Sequence, residues 1–139
     1  MIVADTNVVS EFMKDQPDPA VLGWARTLDQ HDVTICVVTV EEIERGLLRL
    51  PAGSRRRNLE QRWRELDAGY AGTVLLYDVA AARSTARILV DRAAAGHRLG
   101  LADAQIAGIC VSERCELATR NRRDFADITG LTIMNPFDS

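Results

Sequence analysis

The chain has 139 residues, 47% of them hydrophobic, enough to bury a core without disulfides or a structural metal, so a single domain over residues 1–139 is expected. A net charge of −3 excludes general electrostatic attraction to nucleic acid and leaves only a local patch for such binding. Three cysteines, Cys36, Cys110 and Cys115, form no C-x-x-C pair and suit a reducing cytoplasm, and no apolar run approaches the ~18 residues needed to span a membrane, so neither export nor membrane insertion is expected.

In chain order, Ile2-Val3-Ala4 is a short strand that stops at Asp5-Thr6-Asn7, and Val8, Val9, Phe12 and Met13 then give helical spacing. Pro17-Asp18-Pro19 breaks the chain, with Pro19 suited to the first turn of a helix over residues 20–28, and residues 33–38 form a β-branched strand. Thr39-Val40-Glu41-Glu42 fits a T-x-x-E capping box, and Ile43, Gly46, Leu47 and Leu50 continue that helix until Pro51. Residues 55–70 read as a surface helix with a sparse stripe at Leu59, Trp63 and Leu66, making a helical hairpin around Pro51-Ala52-Gly53.

Residues 74–77 are expected as a third strand. An alanine-rich helix over 79–95 follows, buried through Ala82, Ala86, Leu89, Val90 and Ala93 and ended by Gly96. Another helix covers 101–111, buried through Ala102, Ile106, Ile109 and Cys110; short strands at 117–119 and 131–134 flank the polar stretch 120–127. Strands alternating with helices predict an α/β sandwich with a mainly parallel sheet.

In such sheets ligands gather at the carboxyl ends of strands, and acidic residues fall there: Asp5 after the first strand, Glu42 after the second, Asp103 at the start of the helix after Gly100, and Asp124 beyond the strand ending at Thr119. Converging carboxylates repel unless protonated or neutralised by a divalent cation, and hard oxygen ligands suit Mg²⁺ or Mn²⁺. Each residue also has a plain structural reading: Asp5 and Asp103 as helix caps, Glu42 as the partner of Thr39 in the capping box. The two readings coexist, because a helix N-terminus favours the ionised carboxylate that a metal would bind.

At this point the residues resemble the PIN-domain nucleases, and within them the toxins of VapBC and FitAB toxin–antitoxin pairs. Met1-Ile2-Val3-Ala4-Asp5-Thr6-Asn7-Val8-Val9-Ser10 resembles the family's opening strand and aspartate. Val38-Thr39-Val40-Glu41-Glu42-Ile43-Glu44-Arg45-Gly46 is similar to its second motif, in which the glutamate four residues before glycine is Glu42. Leu101-Ala102-Asp103-Ala104-Gln105-Ile106-Ala107 resembles the third motif, Thr119-Arg120-Asn121-Arg122-Arg123-Asp124-Phe125 the fourth, and Asn135-Pro136-Phe137 the end of FitB-like members. One departure is Asn121, where several relatives carry an aspartate directly after Thr-Arg; an asparagine offers a neutral oxygen but no charge.

The resemblance implies a three-layer α/β/α PIN domain acting as a Mg²⁺-dependent endoribonuclease. It also implies a cognate antitoxin that holds the chain inactive, a homodimer within a higher toxin–antitoxin assembly, and contact with DNA only through the antitoxin. Asp5, Asp103 and Glu42 would bind the metal, with Asp124 as a further catalytic residue and Thr6, Asn7, Thr119 and Asn121 orienting ligands and water. Sixteen arginines against the single Lys14 suit bidentate phosphate contacts, and Arg55-Arg56-Arg57 and Arg120, Arg122 and Arg123 are the candidates for RNA. Trp24, Trp63 and Phe125 are expected to pack in the core, and His31 and His97 to lie on the surface.

Two other readings compete. A phosphatase with Asp5 as nucleophile would want a second aspartate where Asn7 stands and a downstream lysine, and none follows Lys14. A catalytically silent module of the same fold would act only by binding an antitoxin and assisting promoter autoregulation.

Overall fold

The computed structural model describes residues 1–29 and 31–138. The strands are β1 (Ile2–Ala4), β2 (Val33–Thr34), β3 (Glu116–Ala118) and β4 (Ile133–Met134), and they form one all-parallel sheet in the order β2-β1-β3-β4. The helices are α1 (Thr6–Glu11), α2 (Pro19–Arg26), α3 (Val37–Arg49), α4 (Ser54–Tyr70), α5 (Val79–Ala94), α6 (Leu101–Glu113) and α7 (Arg122–Phe125), followed by a 3₁₀ turn at Pro136–Asp138.

Side chains of a strand alternate between its two faces, and here the alternation divides the core. Val3, Cys36, Leu117 and Ile133 pack with residues of α5 and α6 on one face of the sheet. Their neighbours Ala4, Ile35, Ala118 and Met134 pack on the other face with residues of α1 to α4, including Val8, Val21, Ile43 and Trp63. The sheet therefore lies between two helical layers, the expected three-layer arrangement. Trp24, Trp63 and Phe125 are buried packing residues, and His31 and His97 are exposed.

Several boundaries differ from the sequence expectation, each for a physical reason. The strand expected over 33–38 ends early because α3 starts at Val37: Val38 and Val40 each pack against a core cluster, and tertiary packing overrides their β preference. The capping box does not form, since α3 begins at its N-cap Cys36, a turn before the expected start, leaving Thr39 and Glu42 inside the helix. With the chain already helical beyond Cys36, the strand expected at 74–77 has almost nothing to pair with. It is reduced to one parallel bridge between Leu75 and Cys36, with Leu76 and Tyr77 exposed.

The largest difference is the rotation of α5. Its buried residues are Ala81, Thr85, Ile88 and Arg92, while Ala82, Ala86, Val90 and Ala93 of the expected core face are exposed and Leu89 is half-buried. Close approach to α6 explains this. A Cβ added at Gly108 of α6 would fall 2.0 Å from Thr85 Oγ1 and 2.9 Å from the Ala81 carbonyl oxygen. Two helix backbones can meet this closely only through their smallest residues, and Ala81 and Gly108 supply that contact while Thr85 folds its hydroxyl back onto the Ala81 carbonyl at 2.8 Å. In α6 itself Ile106, Ile109 and Cys110 are buried as expected, Ala104, Ala107 and Gly108 are buried as well, and Ala102 is only half-buried.

Helix propensity alone predicts that Gly108→Ala stabilises α6 by about 1 kcal/mol. The contact with Thr85 predicts the opposite sign, a loss of about 1–3 kcal/mol from overpacking. Urea unfolding of the two proteins decides between them, and a stabilised Gly108→Ala variant would refute the close packing of α5 on α6.

Candidate active site

The chain runs from β1 to β2 on one side of the sheet and later to β3 on the other, so β1 and β3 flank the point where the strand order reverses. Ligand sites of open parallel sheets form at such points, beyond the carboxyl ends of the strands. Asp5 follows β1 and Thr119 follows β3, and they meet there. The Thr119 hydroxyl donates to Asp5 Oδ2 at 2.7 Å, both residues being buried, and the Asp5 backbone N–H donates to the Ala118 carbonyl at 2.8 Å.

Asp5 is also the N-cap of α1, its Oδ1 accepting from the Thr6 backbone N–H at 2.8 Å. Asn7 Nδ2 reaches Oδ2 at 3.2 Å, so three donors converge on one carboxylate that is only 3% exposed. Burial raises the Asp5 pKa, and the bonds from Thr119, Thr6 and Asn7 oppose that rise. Asn7 also ties the two strand ends together, because its Oδ1 accepts from the Arg120 backbone N–H at 3.1 Å. Thr119 does the same from the other side: its oxygen accepts from the Asn121 backbone N–H at 3.1 Å while its proton goes to Asp5.

Glu42 enters from α3. Its Oε1 accepts from the Thr6 hydroxyl at 2.8 Å, and the Thr6 and Thr39 hydroxyl oxygens stand 3.2 Å apart. The capping residue expected at Thr39 is therefore a fully buried post beneath Thr6, joining α1 to α3. Glu41 and Glu44, the other acids of the segment, are exposed, and Glu41 pairs with Arg45.

Asp103 lies in the first turn of α6, whose N-cap is Gly100, so it is not the cap itself. Its carboxyl is pushed up to about 6 by desolvation, and by the charges of Asp5, Glu42 and Asp124. Four carboxylates from segments far apart in sequence thus share one field. Asp124 belongs to this set but is exposed, on the short α7. Asn121 is exposed and joins the site through its backbone, its side chain making no capping bond to α7. Among the described residues, no three carboxylate, histidine or cysteine side chains are gathered tightly enough to surround an ion. The donor chemistry nevertheless fits a divalent cation, since hard oxygens with mutual repulsion are what such an ion neutralises.

Of the arginines singled out for RNA, Arg120 stacks over the Phe137 ring at 4.6 Å, Arg122 and Arg123 are exposed on α7, and Arg56 pairs with Glu60, leaving Arg55 and Arg57 exposed beside it. One residue missed from the sequence is Arg92, buried on α5 and bonded to the backbone of Asp124; as one of three arginines on that helix and outside every motif, it gives no signal of such a role.

A family model described as PIN domain matches residues 2–131. The chain is 38% identical to a VapC ribonuclease of Sinorhizobium fredii over 139 residues, 99% of each chain. It is 31% identical to the Toxin FitB of Neisseria gonorrhoeae, again over 99% of each. A solved structure of FitAB bound to a DNA fragment superposes with a TM-score of 0.90 at 30% identity, covering 99% of this chain and 96% of that one.

The shared field has a thermodynamic consequence. With its pKa raised from 3.8 to about 6, Asp103 holds its proton more tightly in the folded than in the unfolded chain. The stability it contributes is full below about pH 4 and is lost as pH rises through about 6. In chelator, Asp103→Asn should therefore melt a few degrees above the parent at pH 7.5, with the difference vanishing toward pH 4. Thermal melts across that range check this, and a variant melting at or below the parent at every pH would overturn it.

Proposed function

The chain belongs to the PIN-domain family, and from this premise we propose that it is the toxin of a type II toxin–antitoxin pair, a nuclease that hydrolyses RNA phosphodiester bonds within the strand. The observation that carries the reading is the gathering of Asp5, Glu42, Asp103 and Asp124, from four separate motifs, into one field at the switch point of the sheet. Burial is the main cause that raises the pKa of Asp5 and Asp103, and the neighbouring carboxylates add to it; a domain that only bound a partner would gain nothing from this crowding.

Asp5 and Asp103 would hold a divalent cation, Mg²⁺ or Mn²⁺, with Glu42 joining them directly or through water. When bound, the ion supplies positive charge for the in-line transition state at phosphorus and acidifies the attacking water. The protein's part is orientation. Thr119 and Asn7 fix Oδ2 of Asp5, the Thr6 N–H fixes Oδ1, and the Thr6 hydroxyl fixes Oε1 of Glu42, so the acidic oxygens face the site in set directions before any substrate arrives. Asp124, at the exposed margin, adds charge beside Asp103 where substrate and water enter. Arg122 and Arg123, exposed on the same short helix, suit the phosphates of a strand led to that margin.

Control would fall to a cognate antitoxin. An arginine from such a partner, placed among these carboxylates, would form a charge-assisted pair that competes with the cation. The similar FitAB structure is bound to a DNA fragment, and this chain would reach DNA only through its antitoxin. Exposed Leu76, Val79, Val90 and Leu101 offer apolar side chains for a homodimer or for the antitoxin. No helix among the described residues is long and apolar enough to cross a membrane, and the cytoplasm is the compartment this reading requires.

Mapping RNA ends after induction of the parent and of Asp5→Asn tests activity and target together. New 5′ ends at a defined set of sites with the parent, and none with Asp5→Asn or Asp103→Asn, are expected. Equal cleavage by both variants would overturn the proposed site, and absence of cleavage by the parent would favour the silent binding module. In the same proteins, Mg²⁺ should raise the melting temperature of the parent but leave that of Asp103→Asn nearly unchanged, since only a state that binds the ion is stabilised by it.

A further inference from the structure

Asp124 sits on a helix that does not hold itself. α7 has four residues, far below the length at which a helix is stable alone, and its N-cap Asn121 makes no side-chain bond. The chain entering it is tied by the bonds that Asn7 and Thr119 accept from the backbone of Arg120 and Asn121, and two contacts hold the helix itself: Phe125, fully buried in the core on the α5–α6 side, and Arg92 of α5.

Arg92 is an unusual core residue. It continues the buried line Ala81, Thr85 and Ile88 and is 8% exposed, yet no carboxylate among the described residues lies within ion-pair distance of it. Its guanidinium donates instead to main-chain carbonyls, from Nη2 to Asp124 O at 3.0 Å and from Nη1 to Ala126 O, while Nε finds no partner. The next residue, Asp127, has φ 63°, so the clamp ends where the chain turns sharply away from α7. Arg92 also lines a cavity of about 600 Å³ with Ile88, Asp91, Val111, Asp127 and Ile128.

A buried guanidinium without a counter-ion is costly to keep, and an apolar side chain of similar volume would serve packing better. Its two charge-assisted bonds are stronger than neutral ones and directional, which suits the placing of a segment. We infer that Arg92 is a positioning residue: it fixes the path of residues 124–126 and so sets where the Asp124 carboxylate stands relative to Asp103. Its catalytic consequence rests on the nuclease reading given above; its grip on α7 does not.

The test replaces the guanidinium without emptying its space. In Arg92→Met, backbone hydrogen exchange at residues 122–126 should quicken at least tenfold while amides of β3 and α6 keep their rates. RNA cleavage should lose at least tenfold in kcat with KM unchanged, and Arg92→Lys, which keeps the charge and part of the reach, should recover a portion of both. A purely structural role predicts a lowered melting temperature with parental kcat per folded molecule. Parental exchange at 122–126 in Arg92→Met, or quickened exchange with parental kcat, overturns the inference. Should Arg92→Met fail to fold, Arg92→Lys carries the same two measurements, and parental values of both in it overturn the inference. A parent chain that does not cleave RNA would remove the nuclease reading and leave the exchange result to decide whether Arg92 holds α7.

Discussion

The structure depends on burying one charge. Asp5 stands at the end of the central strand β1, almost wholly out of water, and a carboxylate in that position is tolerated only if its oxygens find donors. The three donors come from Thr6, which starts α1, from Asn7, the next residue, and from Thr119 just after β3. Satisfying Asp5 thus brings together the turn after β1 and the turn after β3, segments more than a hundred residues apart. The two strand ends are bound at the carboxylate as well as through the sheet, and the switch point becomes a fixed junction instead of a loose pair of loops.

From that centre the electrostatics run outward with decreasing burial. Glu42 is half-buried and held by Thr6, Asp103 is half-buried at the head of α6, and Asp124 is exposed on α7. The gradient matters chemically. Asp5 has both oxygens held by donors and Glu42 has one, whereas no hydrogen bond among the described residues holds the side chain of Asp103 or Asp124, which leaves them free to meet a cation. Burial and repulsion within the set oppose ionisation of Asp103, and under the proposed reading a bound cation would offset part of that cost.

Much of this arrangement was legible in the residues because the site is written in junctions. Ile2-Val3-Ala4 followed by Asp5, and Leu117-Ala118 followed by Thr119, announce where strands stop, and strand ends are where such sheets work. What could not be read was direction within elements. Thr39 and Glu42 satisfy the spacing of a capping box so well that local chemistry gave no reason to look further; only the third dimension shows that α3 starts a turn earlier and that both side chains face Thr6. The strand expected at 74–77 failed for a similar reason, since its partner ceased to be a strand at Cys36.

The rotation of α5 carries the same lesson further. An alanine-rich helix has almost no amphipathic direction, and counting apolar side chains selected the face with Leu89 and Val90. The face that is buried carries Thr85 and Arg92 because its orientation is set by how close the backbone can come to Gly108, not by which side is greasier. Once Ala81 and Thr85 meet α6, helical geometry delivers the residue two turns beyond Thr85, Arg92, to the backbone of α7, and turns Val90 outward. The close packing of two helices thereby decides which side chain reaches the fourth motif. A glycine in α6 and an arginine in α5, neither of them a member of the acidic set, together place the last carboxylate of that set.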